Sequence, residues 1–323
     1  MRTITLEEHF ATPAFLDGPA RFLKERAEKI GGRYTYVVDR LCELGDKRLA
    51  EMDAAGIDMQ VLSLAAPGVE QMEAAEAIPM AIATNDYLAE AVAKHPTRFA
   101  GFAALPTGAP KQAVAELERR VREGFKGAVI NGHNQGRYLD NQFYWPILEC
   151  AEALNVPIYL HPTPPPQPVI EASYGGFSPM VTDMLAGGAW GWHIETAVHM
   201  LRVVLGGVFD RFPKLQFIIG HMGEGLPFFF RRLDIIPMAT TKLQRPIVDY
   251  LKENVHYTFA GLNFPPTFLD LLLELGGFDR IMFSADYPYQ SMQQARAFLD
   301  QLPASKSDIE RIAHGNAERL LKL

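Results

Sequence analysis

The chain has 323 residues, of which 48% are hydrophobic and 21% charged, as in globular proteins with a substantial core. Its formal net charge of -7 excludes the strongly basic surface that nucleic acids or anionic membranes attract. The two cysteines, Cys42 and Cys150, show no metal-ligand spacing, and no apolar run is long enough to span a membrane. We therefore expect a cytoplasmic protein with no nucleic-acid or membrane partner.

Eight short apolar runs, separated by helical segments, repeat along the chain. They are rich in Val, Ile, Leu and Phe, which is typical of parallel strands buried on both faces. The runs are residues 3–6, 59–64, 99–105, 127–131, 157–161, 215–220, 255–259 and 280–284. Eight βα units predict a (β/α)₈ barrel, an α/β fold, as a single domain over residues 1–323. An open doubly wound sheet would carry a Gly-rich phosphate turn after an early strand, and the sequence has none.

Amphipathic segments with apolar residues three and four apart lie between the runs. They cover residues 85–95, 110–123, 144–154, 195–209 and 266–275. Three connections are longer than a barrel needs, at residues 10–45, 162–194 and 221–252, after the first, fifth and sixth strands. Loops after barrel strands lie at the C-terminal mouth, where active sites form. We expect these three to cover a site or to form subunit contacts.

Polar side chains that can bind metals end four of the apolar runs. Glu7 and His9 follow the first, His161 ends the fifth, His221 follows the sixth and Asp286 follows the eighth. In an extended chain, residues two apart point to the same side, so Glu7 and His9 can both face the mouth. A single strand-end histidine is more often structural, but several on one rim indicate a metal site. Such carboxylates and imidazoles suit Zn²⁺, and also Mn²⁺ or Fe²⁺.

Four motifs resemble the amidohydrolase superfamily, in the branch related to aminocarboxymuconate-semialdehyde decarboxylase. They are LEEHF at residues 6–10, HP at 161–162, GHMGEGLP at 220–227 and FSADYP at 283–288. The similarity is strongest to the phenolic-acid decarboxylases that act on γ-resorcylate, 2,3-dihydroxybenzoate and 5-carboxyvanillate. Many hydrolases of the superfamily carry a metal-bridging lysine at the end of strand four. This chain has Asn131 there, so a bridged dinuclear site is not expected.

The resemblance implies one divalent metal ion per chain, Zn²⁺ in preference to Mn²⁺, within a (β/α)₈ barrel. The implied ligands are Glu7, His9, His161 and Asp286. It also implies that His221 lies beside the metal with Glu224 as its partner. Arg232, or its neighbour Arg231, is implied to hold the substrate. Relatives of this kind are expected to form homodimers or homotetramers.

These features predict a carboxy-lyase that decarboxylates an ortho-hydroxylated benzoate reversibly, without an organic cofactor. Asp286 is expected to protonate the ring carbon that bears the carboxylate, while His221 and Glu224 stabilise charge and relay protons. Aromatic rings expected to hold this small aromatic acid are Phe22, Trp190, Trp192 and Tyr287. A metal-dependent lactone or amide hydrolase, a hydratase of an unsaturated acid and a non-enzymatic metal-binding protein remain as alternatives.

Overall fold

The computed structural model describes residues 1–323 and contains nine parallel strand segments. All of them are buried along their whole length, as their apolar sequences predict. The strands are β1 (Ile4–Phe10), β2 (Met59–Leu64), β3 (Phe99–Gly101), β4 (Ala103–Ala104), β5 (Ala128–Asn131), β6 (Ile158–His161), β7 (Phe217–Ile219), β8 (Val255–Thr258) and β9 (Ile281–Met282).

The strands pair in chain order and close into a barrel. One sheet has the order β1-β2-β3 and the other the order β4-β5-β6-β7-β8-β9. The two meet at Phe102, whose N–H donates to the carbonyl of Leu62 at 2.9 Å, so β3 and β4 form one interrupted strand. A parallel bridge between Leu6 and Ser284 joins the segment directly after β9 to β1. The predicted (β/α)₈ barrel is confirmed.

Helices surround the barrel and fill its long connections. A 3₁₀ turn at Gln142–Tyr144 and a π turn at Arg311–Gly315 accompany them. The α-helices are α1 (Pro13–Asp17), α2 (Arg21–Ile30), α3 (Arg33–Leu41), α4 (Asp46–Ala55), α5 (Ala74–Lys94), α6 (Pro110–Arg122), α7 (Trp145–Leu154), α8 (Gln167–Tyr174), α9 (Pro179–Ala186), α10 (Gly191–Leu205), α11 (Val208–Arg211), α12 (His221–Glu224), α13 (Leu226–Leu233), α14 (Met238–Thr241), α15 (Ile247–Glu253), α16 (Pro265–Leu275), α17 (Met292–Asp300), α18 (Lys306–Glu310) and α19 (Asn316–Leu321).

One predicted boundary was wrong in a way that bears on the site. The first strand was expected to end at Leu6, but β1 continues to Phe10, so Glu7 and His9 lie inside it. Their charges indicated the end of an apolar run, yet both side chains are fully buried. The three long connections also contain short helices, α1–α3, α8–α9 and α12–α15, in place of irregular loop.

Two apolar clusters hold the barrel together. Inward-facing residues such as Leu6, Val61, Phe102 and Ile218 fill the barrel, and Leu321 of α19 packs with them. A larger cluster of 69 buried residues lies mainly between the strands and the surrounding helices. Its size accounts for a fold stable without a disulfide, since both cysteines are free. None of the helices has the length and hydropathy needed to cross a membrane.

Asn85 of α5 completes the backbone pairing of β4. Its amide accepts from the N–H of Ala104 and donates to the same residue's carbonyl, both at 2.9 Å. Asn85 is fully buried and also donates to Glu116 at 2.8 Å. The side chain of Asn85 therefore supplies the hydrogen bonds to Ala104 that β2 no longer provides.

We predict that Asn85→Leu lowers the free energy of unfolding by at least about 2 kcal/mol, because it leaves two buried backbone groups unpaired. Urea unfolding followed by circular dichroism measures the change. Glu90→Gln, on the exposed face of the same helix, is the control and should change stability by less than about 0.5 kcal/mol. Equal stability of the two variants would show that Asn85 does not carry this pairing.

Candidate active site

Four residues that were predicted as metal ligands converge at the C-terminal mouth of the barrel. Glu7 Oε1 lies 3.4 Å from His161 Nε2, and His9 Nε2 lies 3.4 Å from Asp286 Oδ1. One ligand atom each from Glu7, His9 and His161 fall within 4.8 Å of one another, close enough to share a metal ion. The four come from β1, the end of β6 and the segment after β9, so the barrel itself brings them together.

The carboxylate of Glu7 is held firmly by its surroundings. The register of β1 against β2 shifts between Thr5 and Glu8, and Glu7 has a left-handed φ of 62°. Its Oε2 accepts from the hydroxyls of Tyr159 and Thr258. Gly220 must lack a side chain, because a Cβ there would lie 2.2 Å from Oε2. This packing turns the other oxygen, Oε1, toward the histidines.

The cluster has the unsatisfied donor atoms that a metal ion requires. Glu7 Oε1, both ring nitrogens of His9 and Nδ1 of His161 are buried without a hydrogen-bond partner. Burial lowers the pKa of His9 to about 3, so its ring is neutral, the form that binds metals. Burial raises the pKa of Glu7 to about 8 and that of Asp286 to about 7. A cation would satisfy these atoms and favour the charged carboxylates, so this residue set fits a divalent metal.

His221 and Glu224 form a buried ion pair beside this cluster. His221 Nδ1 lies 2.7 Å from Glu224 Oε1 and 3.7 Å from Glu7 Oε1. Burial lowers the pKa of His221, but the charges of Glu224 and Glu7 outweigh it and raise the pKa to about 10. Burial raises the pKa of Glu224, and His221 and His193 together reduce it to about 2. His221 is therefore a cation, balanced within the pair by the ionised Glu224.

His193 and Tyr289 reach the site. His193 was not predicted to do so, whereas Tyr289 was expected among the aromatic residues at the mouth but not among those that bind substrate. His193 Nδ1 lies 2.5 Å from Glu224 Oε2, on the other side of that carboxylate from His221. The ring of Tyr289 lies 5.4 Å from that of His9. His193 is 28 positions before His221 and follows no strand, so no local pattern marks it.

The predicted substrate-binding residues differ in where they lie. The Trp192 ring is 6.4 Å from His161 and 6.5 Å from His221, so it borders the cluster. Phe22 and Trp190 are exposed, at 37% and 55%. These two offer aromatic surface but make no ring contact with the cluster.

Tyr287 and the arginine pair are not brought to the cluster. The hydroxyl of Tyr287 donates to Glu51 at 2.6 Å, and the guanidinium of Arg48 lies 4.7 Å above its ring. Arg231 donates to Glu274 at 3.0 Å, and Arg232 is exposed on the same helix without an ion pair. Besides Tyr159 and Thr258, which bond to Glu7, the side chains bordering the four-residue cluster include Trp192, Tyr289 and the His221–Glu224 pair.

Comparison with known proteins defines the family. The sequence pattern of the amidohydrolase family matches residues 9–323, and the chain belongs to that family. A γ-resorcylate decarboxylase from Polaromonas is 41% identical over 333 residues, covering 99% of this chain and 98% of the relative.

Two solved structures of decarboxylases share the fold. Dihydroxybenzoic acid decarboxylase from Polaromonas, with manganese and 2-nitroresorcinol bound, has a TM-score of 0.90 and 40% identity, and the match covers 100% of this chain and 97% of that one. 5-Carboxyvanillate decarboxylase from Novosphingobium aromaticivorans, with manganese and 4-hydroxy-3-methoxy-5-nitrobenzoic acid, has a TM-score of 0.92 and 35% identity, covering 100% and 96%. Both hold manganese with an aromatic ligand.

The raised carboxyl pKa values predict a pH-dependent response to metal. In the metal-free protein, protonated Asp286 and protonated Glu7 stabilise the fold. This stabilisation is lost as the pH rises toward 7 for Asp286 and toward 8 for Glu7. Added Mn²⁺ should therefore raise the melting temperature more at pH 8 than at pH 6. At pH 8 and a hundredfold excess over Kd, the rise should be about 5 °C or more. Differential scanning fluorimetry after chelation measures both effects.

Glu7→Gln is the informative variant, because its amide cannot ionise. It should remove the Mn²⁺ response and reduce the loss of stability between pH 6 and pH 8. Glu90→Gln serves as the exposed control. A Glu7→Gln protein that keeps the full metal response would remove Glu7 from the ligand set.

Proposed function

We propose that this chain is a metal-dependent carboxy-lyase that removes CO₂ from ortho-hydroxylated benzoic acids. The observation that carries the proposal is the buried cluster of two carboxylates and two imidazoles with a cationic histidine and an indole at its edge. Full-length similarity to decarboxylases of dihydroxybenzoates supports the same substrate class. The substrate is a small planar aromatic acid, and 2,6-dihydroxybenzoate is the first candidate.

We propose Mn²⁺ as the ion held by Glu7, His9, His161 and Asp286. The expected preference for Zn²⁺ has no support in the two related structures, which hold manganese. When bound, the ion would polarise the carboxylate and the neighbouring phenolic oxygen of the substrate. A donor set with two carboxylates and two neutral imidazoles suits either metal.

Asp286 is the proposed acid because it alone of the four reaches the mouth appreciably. Its side chain is 12% exposed, against 6% for His161 and 0% for Glu7 and His9. Its proton adds to the ring carbon that bears the carboxylate, the C–C bond then breaks, and the bonding electrons restore the aromatic ring as CO₂ leaves. A positioned acid of this kind contributes roughly 10²–10⁴-fold.

The remaining residues bind and orient the ring. The positive charge of His221, held by Glu224, faces the anionic oxygens of the substrate. Trp192 on one side and Tyr289 on the other can enclose a planar ring. These contacts favour a flat aromatic acid over a flexible one.

The wider organisation of the molecule stays a prediction. We propose a single domain over residues 1–323 that assembles as a homodimer or homotetramer. Exposed aromatic residues support the assembly, namely Phe228 at 76%, Phe177 at 59% and Trp190 at 55%. Surfaces of this kind are typical of subunit contacts.

We predict that the Mn²⁺-loaded protein releases CO₂ from 2,6-dihydroxybenzoate but not from 3,5-dihydroxybenzoate, which lacks an ortho hydroxyl. Asp286→Asn should lower kcat by about 10²-fold or more, because an amide cannot supply the proton. CO₂ release and metal content are measured on the same samples. Full turnover by a metal-loaded Asp286→Asn protein would exclude Asp286 as the acid. Hydrolysis of a lactone, with no ortho-hydroxybenzoate consumed, would establish the hydrolase alternative.

A further inference from the structure

The carboxylate of Glu224 is shared between two histidines. His221 Nδ1 lies 2.7 Å from Oε1, and His193 Nδ1 lies 2.5 Å from Oε2. The two rings meet edge to face with centroids 4.7 Å apart. Because Glu224 has no exposed side-chain surface, these two imidazoles are its hydrogen-bond partners. The position of His193 therefore bears directly on the orientation of the Glu224–His221 pair.

The other nitrogen of His193 contacts the aromatic wall of the mouth. Trp192 Nε1 donates to His193 Nε2 at 3.1 Å. An indole N–H can only donate, so Nε2 must be unprotonated in this contact and the ring proton must lie on Nδ1, toward Glu224. The neutral ring thus satisfies both neighbours at once. His193 is also the most exposed of the three, at 19% of its side chain, against 7% for His221.

A proton on Nε2 would change these contacts. The carbonyl of Gly188 lies 3.2 Å from Nε2 and could accept from it. The indole N–H of Trp192 would then face another N–H, which is unfavourable, so the indole would lose its partner. The charged groups around His193 are Glu224, His221 and Asp286. The unprotonated Nε2 of His193 is therefore what holds the indole of Trp192 in place.

We propose that His193 is a positioning residue with two separate tasks, an inference that rests on the proposed function. Through Nδ1 it orients Glu224 and so fixes His221, which acts on the reacting group. Through Nε2 it holds the indole of Trp192, which packs on the substrate ring. The first task governs kcat, and the second governs KM.

Two isosteric variants separate these tasks. In His193→Asn the side-chain amide takes the place of Nδ1 and keeps the bond to Glu224, so KM should rise about tenfold with kcat within about threefold. In His193→Gln the amide takes the place of Nε2 and keeps the bond to Trp192, so kcat should fall about tenfold or more with little change in KM. Steady-state kinetics of the Mn²⁺-loaded protein on 2,6-dihydroxybenzoate measure both.

His199→Gln is the matched control on the same helix. Its ring nitrogen accepts from the N–H of Leu139 at 3.0 Å, a bond that the Gln carbonyl can replace. This variant should keep wild-type kcat and KM. The positioning role is overturned if His193→Asn and His193→Gln both match wild type. It is also overturned if both variants show the same fall in kcat and the same rise in KM, together with a lower melting temperature.

Tryptophan fluorescence tests the Trp192 contact without turnover. His193→Asn, which removes the acceptor of the Trp192 N–H, should change the tryptophan emission, whereas His193→Gln and His199→Gln should keep that of wild type. A His193→Asn emission identical to wild type would overturn the His193–Trp192 link even if decarboxylation is observed. Absence of decarboxylation by wild type, with the emission change present, would instead count against the proposed function alone.

Discussion

The burial of the Glu7 carboxylate is the constraint on which the rest of the site depends. A carboxylate without solvent contact is costly unless each oxygen has a partner. Tyr159 and Thr258 satisfy one oxygen, but the other has no hydrogen-bond partner and lies 3.4 Å from His161 and 3.7 Å from His221. The barrel therefore holds an acid whose charged form a cation can stabilise. The proposed metal site depends on this one placement.

The same region departs from ordinary backbone geometry. Glu7, His221, Glu224 and Asp286 all have left-handed φ values, between 48° and 62°. Each such residue costs on the order of 1–3 kcal/mol unless its surroundings impose the conformation. The hydrogen bonds and ion pairs of the cluster supply that restraint. The left-handed turns also explain how residues close in sequence, such as His221 and Glu224, can point at one another.

The sequence was informative where a pattern is local and less so where contacts are distant. Apolar runs predicted all eight strands, and the polar residues ending them converge at the mouth. The contact of Glu224 with His193 depends on how α10 packs against α12, which no spacing in the sequence encodes. The buried polar side chains of Glu7 and His9 were mistaken for the end of a strand, because an ionisable residue inside a barrel is the exception.

The neighbouring acid, Glu8, explains why Tyr287 does not face the site. Its carboxylate accepts from the N–H of Ala285 at 2.8 Å and from that of Tyr287 at 3.3 Å, on either side of Asp286. These two hydrogen bonds fix the segment after β9. The side chain of Asp286 then points into the mouth, and the hydroxyl of Tyr287 donates to Glu51. Adjacent carboxylates of one strand thus act on opposite sides of the barrel wall. Glu7 belongs to the four-residue cluster, and Glu8 orients Asp286 of that same cluster from behind.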